Sequence, residues 1–145
     1  MFTKISVIFV AIIFFLASAT AFLHEKRAVS YARFVPDASK GLTVEGTITY
    51  TDMPDGCLNI VGQFNKGFEQ SSNPSDYKFS LDGHRFDSYL QYTIQNGGTS
   101  AFTANVPAKE LGINPEKKRG PQKKRQTEID YKEKMIGLAI SESDS

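Results

Sequence analysis

Cysteine occurs once in this chain of 145 residues, at position 57, and histidine twice, at 24 and 84. A single cysteine excludes an intramolecular disulfide, the usual staple of a small secreted domain with a thin core. Cys57 is left two roles, a small buried apolar side chain or one end of an intermolecular bridge, and burial is the expectation. No Asn-X-Ser/Thr acceptor is present, because Asn73 is followed by Pro74. Long apolar runs are also scarce. The longest, Ile5 to Leu16, falls short of the roughly 20 residues that a membrane span needs. There is no glycine-rich phosphate cradle, no nucleophile elbow and no calcium loop of spaced oxygen ligands.

That short apolar run has a different meaning. Lys4 precedes it and Ala19-Thr20-Ala21 follows it, the pattern of a secretory signal peptide over residues 1–21, cleaved after Ala21. Cleavage leaves FLHEKR, residues 22–27, and Lys26-Arg27 is a dibasic pair that a kexin-type protease cuts. The mature chain is then expected to begin at Ala28, with no membrane association once the signal is removed. This short pro-piece resembles those of many small secreted fungal proteins.

The body, residues 28–107, alternates. LTVEGTITY puts Leu42, Val44, Gly46, Ile48 and Tyr50 on one face and threonines and Glu45 on the other, the period of a half-buried strand. The turn TDMPDG leads into LNIVGQF, which alternates through Leu58, Ile60, Gly62 and Phe64 and pairs with the first as a hairpin. The two glycines mark places where another group packs closely. VSYARF, YKFSL, the stretch Phe86–Leu90–Tyr92–Ile94 and TSAFTANV complete six strands, with turns at DGH and NGG. The fold predicted is all-β, a small antiparallel β-sandwich of six to seven strands with a disordered basic C-terminal tail. Residues 108–134 read as a basic flexible segment, since Gln126 to Lys134 is almost wholly polar. Residues 135–145 hold a last strand, Met135 to Ile140, for which a short helix is the alternative, and an acidic end.

Groups able to carry chemistry are few. His84 in the turn DGH reads as a solvated turn residue, and with Cys57 it makes neither a thiol-protease site nor a zinc site. Asp82 and Asp87 flank a turn, where aspartate bonds the local backbone. The order VEGTITY, LNIVGQFNKGF, YKFSLDG, GGTSAF, MIGLAI resembles the strand series of the Cu/Zn superoxide dismutases. The resemblance implies a sandwich and places Ser80 and Asp82 where that family holds copper through histidines. Without imidazoles, no redox copper, no metal, no cofactor and no enzymatic activity are expected.

Charge is divided unevenly. Residues 28–107 carry five Lys/Arg against eight Asp/Glu, 5 − 8 = −3, and residues 108–145 carry nine against seven, 9 − 7 = +2. The basic residues concentrate in KKRGPQKKR, with Lys117, Lys118, Arg119, Lys123, Lys124 and Arg125 in two clusters around Gly-Pro-Gln. Such clusters suit the grooves of nuclear import receptors, further dibasic cleavage after Arg119 or Arg125, or a solvated polyanion patch. A leader together with a nuclear address resembles the secreted effectors of plant-colonising fungi that enter host nuclei. That resemblance implies a non-enzymatic protein, secreted and then carried by a host import receptor to the host nucleus, where the β-domain binds a host protein related to chromatin or transcription. Direct sequence-specific DNA binding is not expected of an acidic body. The alternative is an extracellular protein or precursor cleaved at dibasic sites to release a C-terminal peptide, Gln126 to Ser145.

Overall fold

The computed structural model describes residues 27–114 and 124–143. In chain order its strands are β1 (Val29–Phe34), β2 (Glu45–Asp52), β3 (Cys57–Lys66), β4 (Tyr77–Leu81), β5 (His84–Arg85), β6 (Ile94–Gln95), β7 (Gly98–Thr99), β8 (Phe102–Pro107), β9 (Gln126–Tyr131), β10 (Lys134–Ile140) and β11 (Glu142–Ser143). A five-stranded sheet runs β11-β1-β2-β3-β8, a four-stranded sheet runs β10-β9-β4-β5, and β6-β7 form a separate ribbon. All pairings are antiparallel, as an all-β sandwich requires. Among the described residues, no helix is long and apolar enough to cross a membrane.

The period-2 stretches form strands because each has one apolar face to bury. Leu42, Val44, Ile48 and Tyr50 face inward, as do Leu58, Ile60 and Phe64 opposite them. Tyr77, Phe79 and Leu81 of β4 meet them from the second sheet, with Phe102, Ala104 and Val106 of β8 and Ile129 of β9. The hairpin expected between LTVEGTITY and LNIVGQF is β2–β3, in register Tyr50↔Ile60 and Ile48↔Gly62. Its glycines admit aromatic rings. A Cβ on Gly62 would lie 2.5 Å from Cζ of Phe102, and one on Gly46 would lie 2.5 Å from Cδ1 of Phe64.

Two expectations are corrected. Phe86 to Ile94 is mostly not a strand: a 3-10 turn spans Asp87–Tyr89, and only Ile94–Gln95 pairs, as β6. Asp87 turns the chain there by binding Arg85 (2.9 and 2.8 Å), while Phe86 is buried and Leu90, Tyr92 and Ile94 pack against the core. The second correction concerns residues 108–134 as a flexible segment. Ala108–Leu111 forms a 3-10 turn with Ala108 and Leu111 buried. Gln126 to Tyr131 is β9, an inner strand with β10 on one side and β4 on the other. Its polar composition hides its role, because only Thr127 and Ile129 need to face inward, and both are 0 % exposed. Met135 to Ile140 is strand, within β10.

Burying Thr127 is possible because its hydroxyl has a partner. Its Oγ1 lies 2.8 Å from the Tyr50 hydroxyl, a buried hydrogen bond joining β9 of one sheet to β2 of the other. Burial pushes the Tyr50 phenol far above its ordinary range, so it stays neutral and available for this bond.

Three hairpins close with two-residue loops whose central residues both have positive φ, as type I′ turns require. Two have the favoured residues, Asp82-Gly83 (48° and 82°) and Asn96-Gly97 (51° and 79°). The third, between β9 and β10, is Lys132-Glu133 (48° and 64°), where each side chain crowds its own backbone.

Two stability measurements follow. Tyr50→Phe or Thr127→Val alone strands one buried hydroxyl and costs about 1–3 kcal/mol. The double variant, with both hydroxyls gone, should lose clearly less than the sum of the two; additive losses in urea melts would mean that the two groups do not bond. Glu133→Gly should relieve the turn and stabilise the protein by about 1 kcal/mol, raising Tm by roughly 4 °C. A lowered Tm would place the β9–β10 turn in another conformation.

Candidate functional site

Lys117, Lys118, Arg119 and Lys123 lie outside the described residues, whereas Lys124 is exposed and Arg125 half-buried. The described residues on either side of the run are held by the fold. Before it, the amide of Ala108 donates to the Gly56 carbonyl at 3.0 Å and the amide of Ile113 to the Ala108 carbonyl at 2.9 Å. After it, the Arg125 amide donates to Ser141 Oγ (2.9 Å) and the Ser141 amide to the Arg125 carbonyl (2.8 Å). The Gln126 amide then donates to Asp82 Oδ1 at 2.8 Å. KKRGPQKKR is therefore the connection between the turn after β8 and the inner strand β9, with sheet on both sides of it in sequence.

Ala21 and Lys26 also lie outside the described residues, and Arg27 is exposed. The sheet begins immediately afterwards: the Ala28 carbonyl accepts a hydrogen bond from the Asp52 amide at 3.0 Å. The dibasic pair and the first hydrogen bond of the fold are thus adjacent.

The remaining polar residues singled out in the sequence do not converge. His84 is exposed on β5, against Gly112. Cys57 is half-buried at the start of β3, and burial, followed by the neighbouring Asp55 carboxylate, pushes its thiol pKa up, which disfavours the reactive thiolate. Asp82 is occupied by the Gln126 amide and Asp87 by Arg85. Ser80 is half-buried in β4, in register with Glu128 of β9. Among the described residues, no three His, Cys, Asp or Glu side chains stand where they could hold one metal ion.

The five-stranded sheet presents Thr47, Thr49, Asn59, Val61, Gln63 and Thr103, with Arg33 in register beside Thr47. The four-stranded sheet presents Lys78, Glu128 and Asp130. Partial burial, then the charge of Glu128, raises the Asp130 carboxyl pKa.

One concavity lies where the two sheets part, with a volume of about 730 Å³. Arg33, Val35 and Pro36 at the end of β1 form one wall, and Leu138, Ile140 and Glu142 of β10 and β11 form the other. Val35 is 59 % exposed and Ile140 56 %, unusual for large aliphatic side chains. Sequence reading passed over this groove because VPDASKG reads as a loop and Ile140 as the end of an apolar strand. Only the register separating Ile140 from buried Ala139 distinguishes it.

The chain matches no protein-family model, no curated protein and no solved structure.

Asp130 gives a pH test. A carboxylate whose folded pKa is raised opposes folding while it is charged, and the opposition fades as pH falls through that pKa. Asp130→Asn should therefore stabilise the protein at pH 7, by a few tenths of a kcal/mol. The gain should shrink in melts taken near pH 3, where the aspartate is itself neutral. A gain of equal size at both pH values would remove the electrostatic cause.

Proposed function

We propose that the protein is a secreted, non-enzymatic effector that enters host cells, is imported into the nucleus and there binds a host protein through its β-domain. The observation that carries this reading is the position of KKRGPQKKR in the chain. In sequence it links the turn after β8 to β9, and its two described residues, Lys124 and Arg125, stand outside the core cluster, so a receptor that grips them displaces no core residue. The apolar leader and the Lys26-Arg27 pair, directly ahead of the first sheet residue, support secretion and trimming. An acidic body with a basic connection suits a protein partner better than direct sequence-specific DNA contact by the sheets.

The alternative, a precursor that releases Gln126 to Ser145, is less well supported. That segment contains β9, hydrogen-bonded on both sides and buried at Thr127 and Ile129. Cutting after Arg125 frees it only if the four-stranded sheet is dismantled. The resemblance to Cu/Zn superoxide dismutases enters the proposal without the metal chemistry, since it would place Ser80 and Asp82 where that family has ligating histidines.

The test is localisation. The chain from Ala28 onward, fused to a fluorescent protein large enough to prevent passive passage through nuclear pores, should accumulate in plant nuclei. Changing Lys117, Lys118, Arg119, Lys123, Lys124 and Arg125 together to Ala should move it to the cytoplasm. The domain should melt as before, because the Arg125 contacts to Ser141 are made by its backbone. Equal nuclear signal from both proteins would end the import reading.

A further inference from the structure

We infer that the groove between β1 and β10 is a docking site for an extended segment of a partner polypeptide, one with apolar side chains at alternate positions and a carboxylate opposite Arg33. The inference deepens the reading of the β-domain as a protein-binding module, and it does not depend on nuclear import.

The walls of the groove are strand edges. β10 is the last strand of its sheet. β1 has β11 as its outer neighbour only at Ser30 and Tyr31, so Ala32 to Phe34 have no ladder partner on that side. The chain causes this itself: Glu142 and Ser143 pair with β1, but from Ile140 backwards the strand crosses to β9, with Ile140 opposite Gln126. The seam between the sheets opens there, and backbone groups along a free edge are a template for an added strand.

Proteins guard such edges with charges and bulges. On β10 those devices sit at the other end, Lys134 and the irregularity between Met135 and Gly137. Ile136 is also occupied there, its carbonyl accepting from the amides of Thr43 (2.9 Å) and Val44 (3.2 Å). Leu138 to Ile140 has no comparable guard, and its outward side chains are Leu138 and exposed Ile140, across from exposed Val35. Successive side chains of an extended segment alternate in direction, so every second one would meet this apolar floor.

The charges choose the occupant. Asp37 is engaged by Ser39 and Lys40, at 3.0 Å from the Ser39 amide and 3.4 Å from Lys40 Nζ. Glu142 accepts a hydrogen bond from the Tyr31 hydroxyl at 2.9 Å. Arg33, exposed on the β1 wall, has no carboxylate partner among the described residues. Arg33 is thus the charged side chain of this lining left without a hydrogen-bonded or ion-paired partner among the described residues, and a carboxylate on the incoming segment completes it bidentately.

The experiment is selection of a displayed library of random 12-residue peptides on the full chain, expressed with its own leader and purified. Selected peptides should converge on alternating apolar residues with an Asp or Glu at a fixed offset. Their affinity, measured as synthetic peptides, should fall at least tenfold for Val35→Ser/Ile140→Ser. For Arg33→Glu the selection should exchange the acidic residue for Lys or Arg. All three positions are exposed, and unchanged melting curves would show the variants to be folded. Failure to converge, enrichment of helical or proline-rich spacing, or peptides indifferent to all three changes would overturn the proposal. So would a dimer in sedimentation that Ile140→Ser abolishes, since the occupant would then be a second copy of this chain. None of these outcomes bears on nuclear accumulation, which is read from the basic connection alone.

Discussion

The hydrogen bond between the hydroxyls of Tyr50 and Thr127 is a buried polar link between the two sheets, whose facing side chains are mostly apolar. A buried hydroxyl without a partner costs about as much as a well-made hydrogen bond contributes, so each group is tolerable only because of the other. The pairing also fixes register. Sliding β9 by one residue would turn Thr127 and Ile129 outward and set Glu128 against the core. Once β9 is placed, β4 and β10 have their partner, and β11 is carried round to β1.

Aromatic rings stand among the aliphatic side chains of the core, which answers the scarcity of cysteine. Phe64 stands at its centre, with ring centroids of Phe34 at 5.4 Å, Phe68 at 5.3 Å, and Phe79 and Phe102 at 6.0 Å. Phe79 belongs to the opposite sheet, so this cluster crosses the interface that a disulfide would otherwise staple. Tilted and edge-on ring pairs of this kind contribute about 0.5–1.5 kcal/mol each beyond the area they bury. The loop between β3 and β4 is drawn in by the same means: Phe68 packs on Tyr77 at 4.5 Å, and the Tyr77 hydroxyl accepts from the Glu69 amide at 2.8 Å.

Where side-chain period and turn chemistry agreed, the fold was legible. The β2–β3 hairpin, the inward faces of β4 and β8, and the Asp82-Gly83 and Asn96-Gly97 turns could all be read from residue order. The failures have physical causes. β9 shows only two inward residues, one of them a threonine, and the turn after it lacks the asparagine or glycine that announces a type I′ loop. Phe86 to Tyr92 has the right apolar spacing, but Asp87 prefers Arg85 to a ladder and the chain coils over the end of the core. The basic run was legible as chemistry and misplaced in the architecture, because taking β9 for a loop made everything after β8 look like a tail. The groove could not be read at all, since it depends on where one strand changes sheets.

The order of the strands has a consequence for how the chain can fold. β1 finds its outer neighbour only at Glu142 and Ser143, and β4 waits for β9 to be made. Neither sheet can be finished until β10 and β11 have left the ribosome. Pairings between such distant parts of a chain form slowly. A polypeptide of this design stays unfinished, and therefore threadable, until Glu142 and Ser143 have been made.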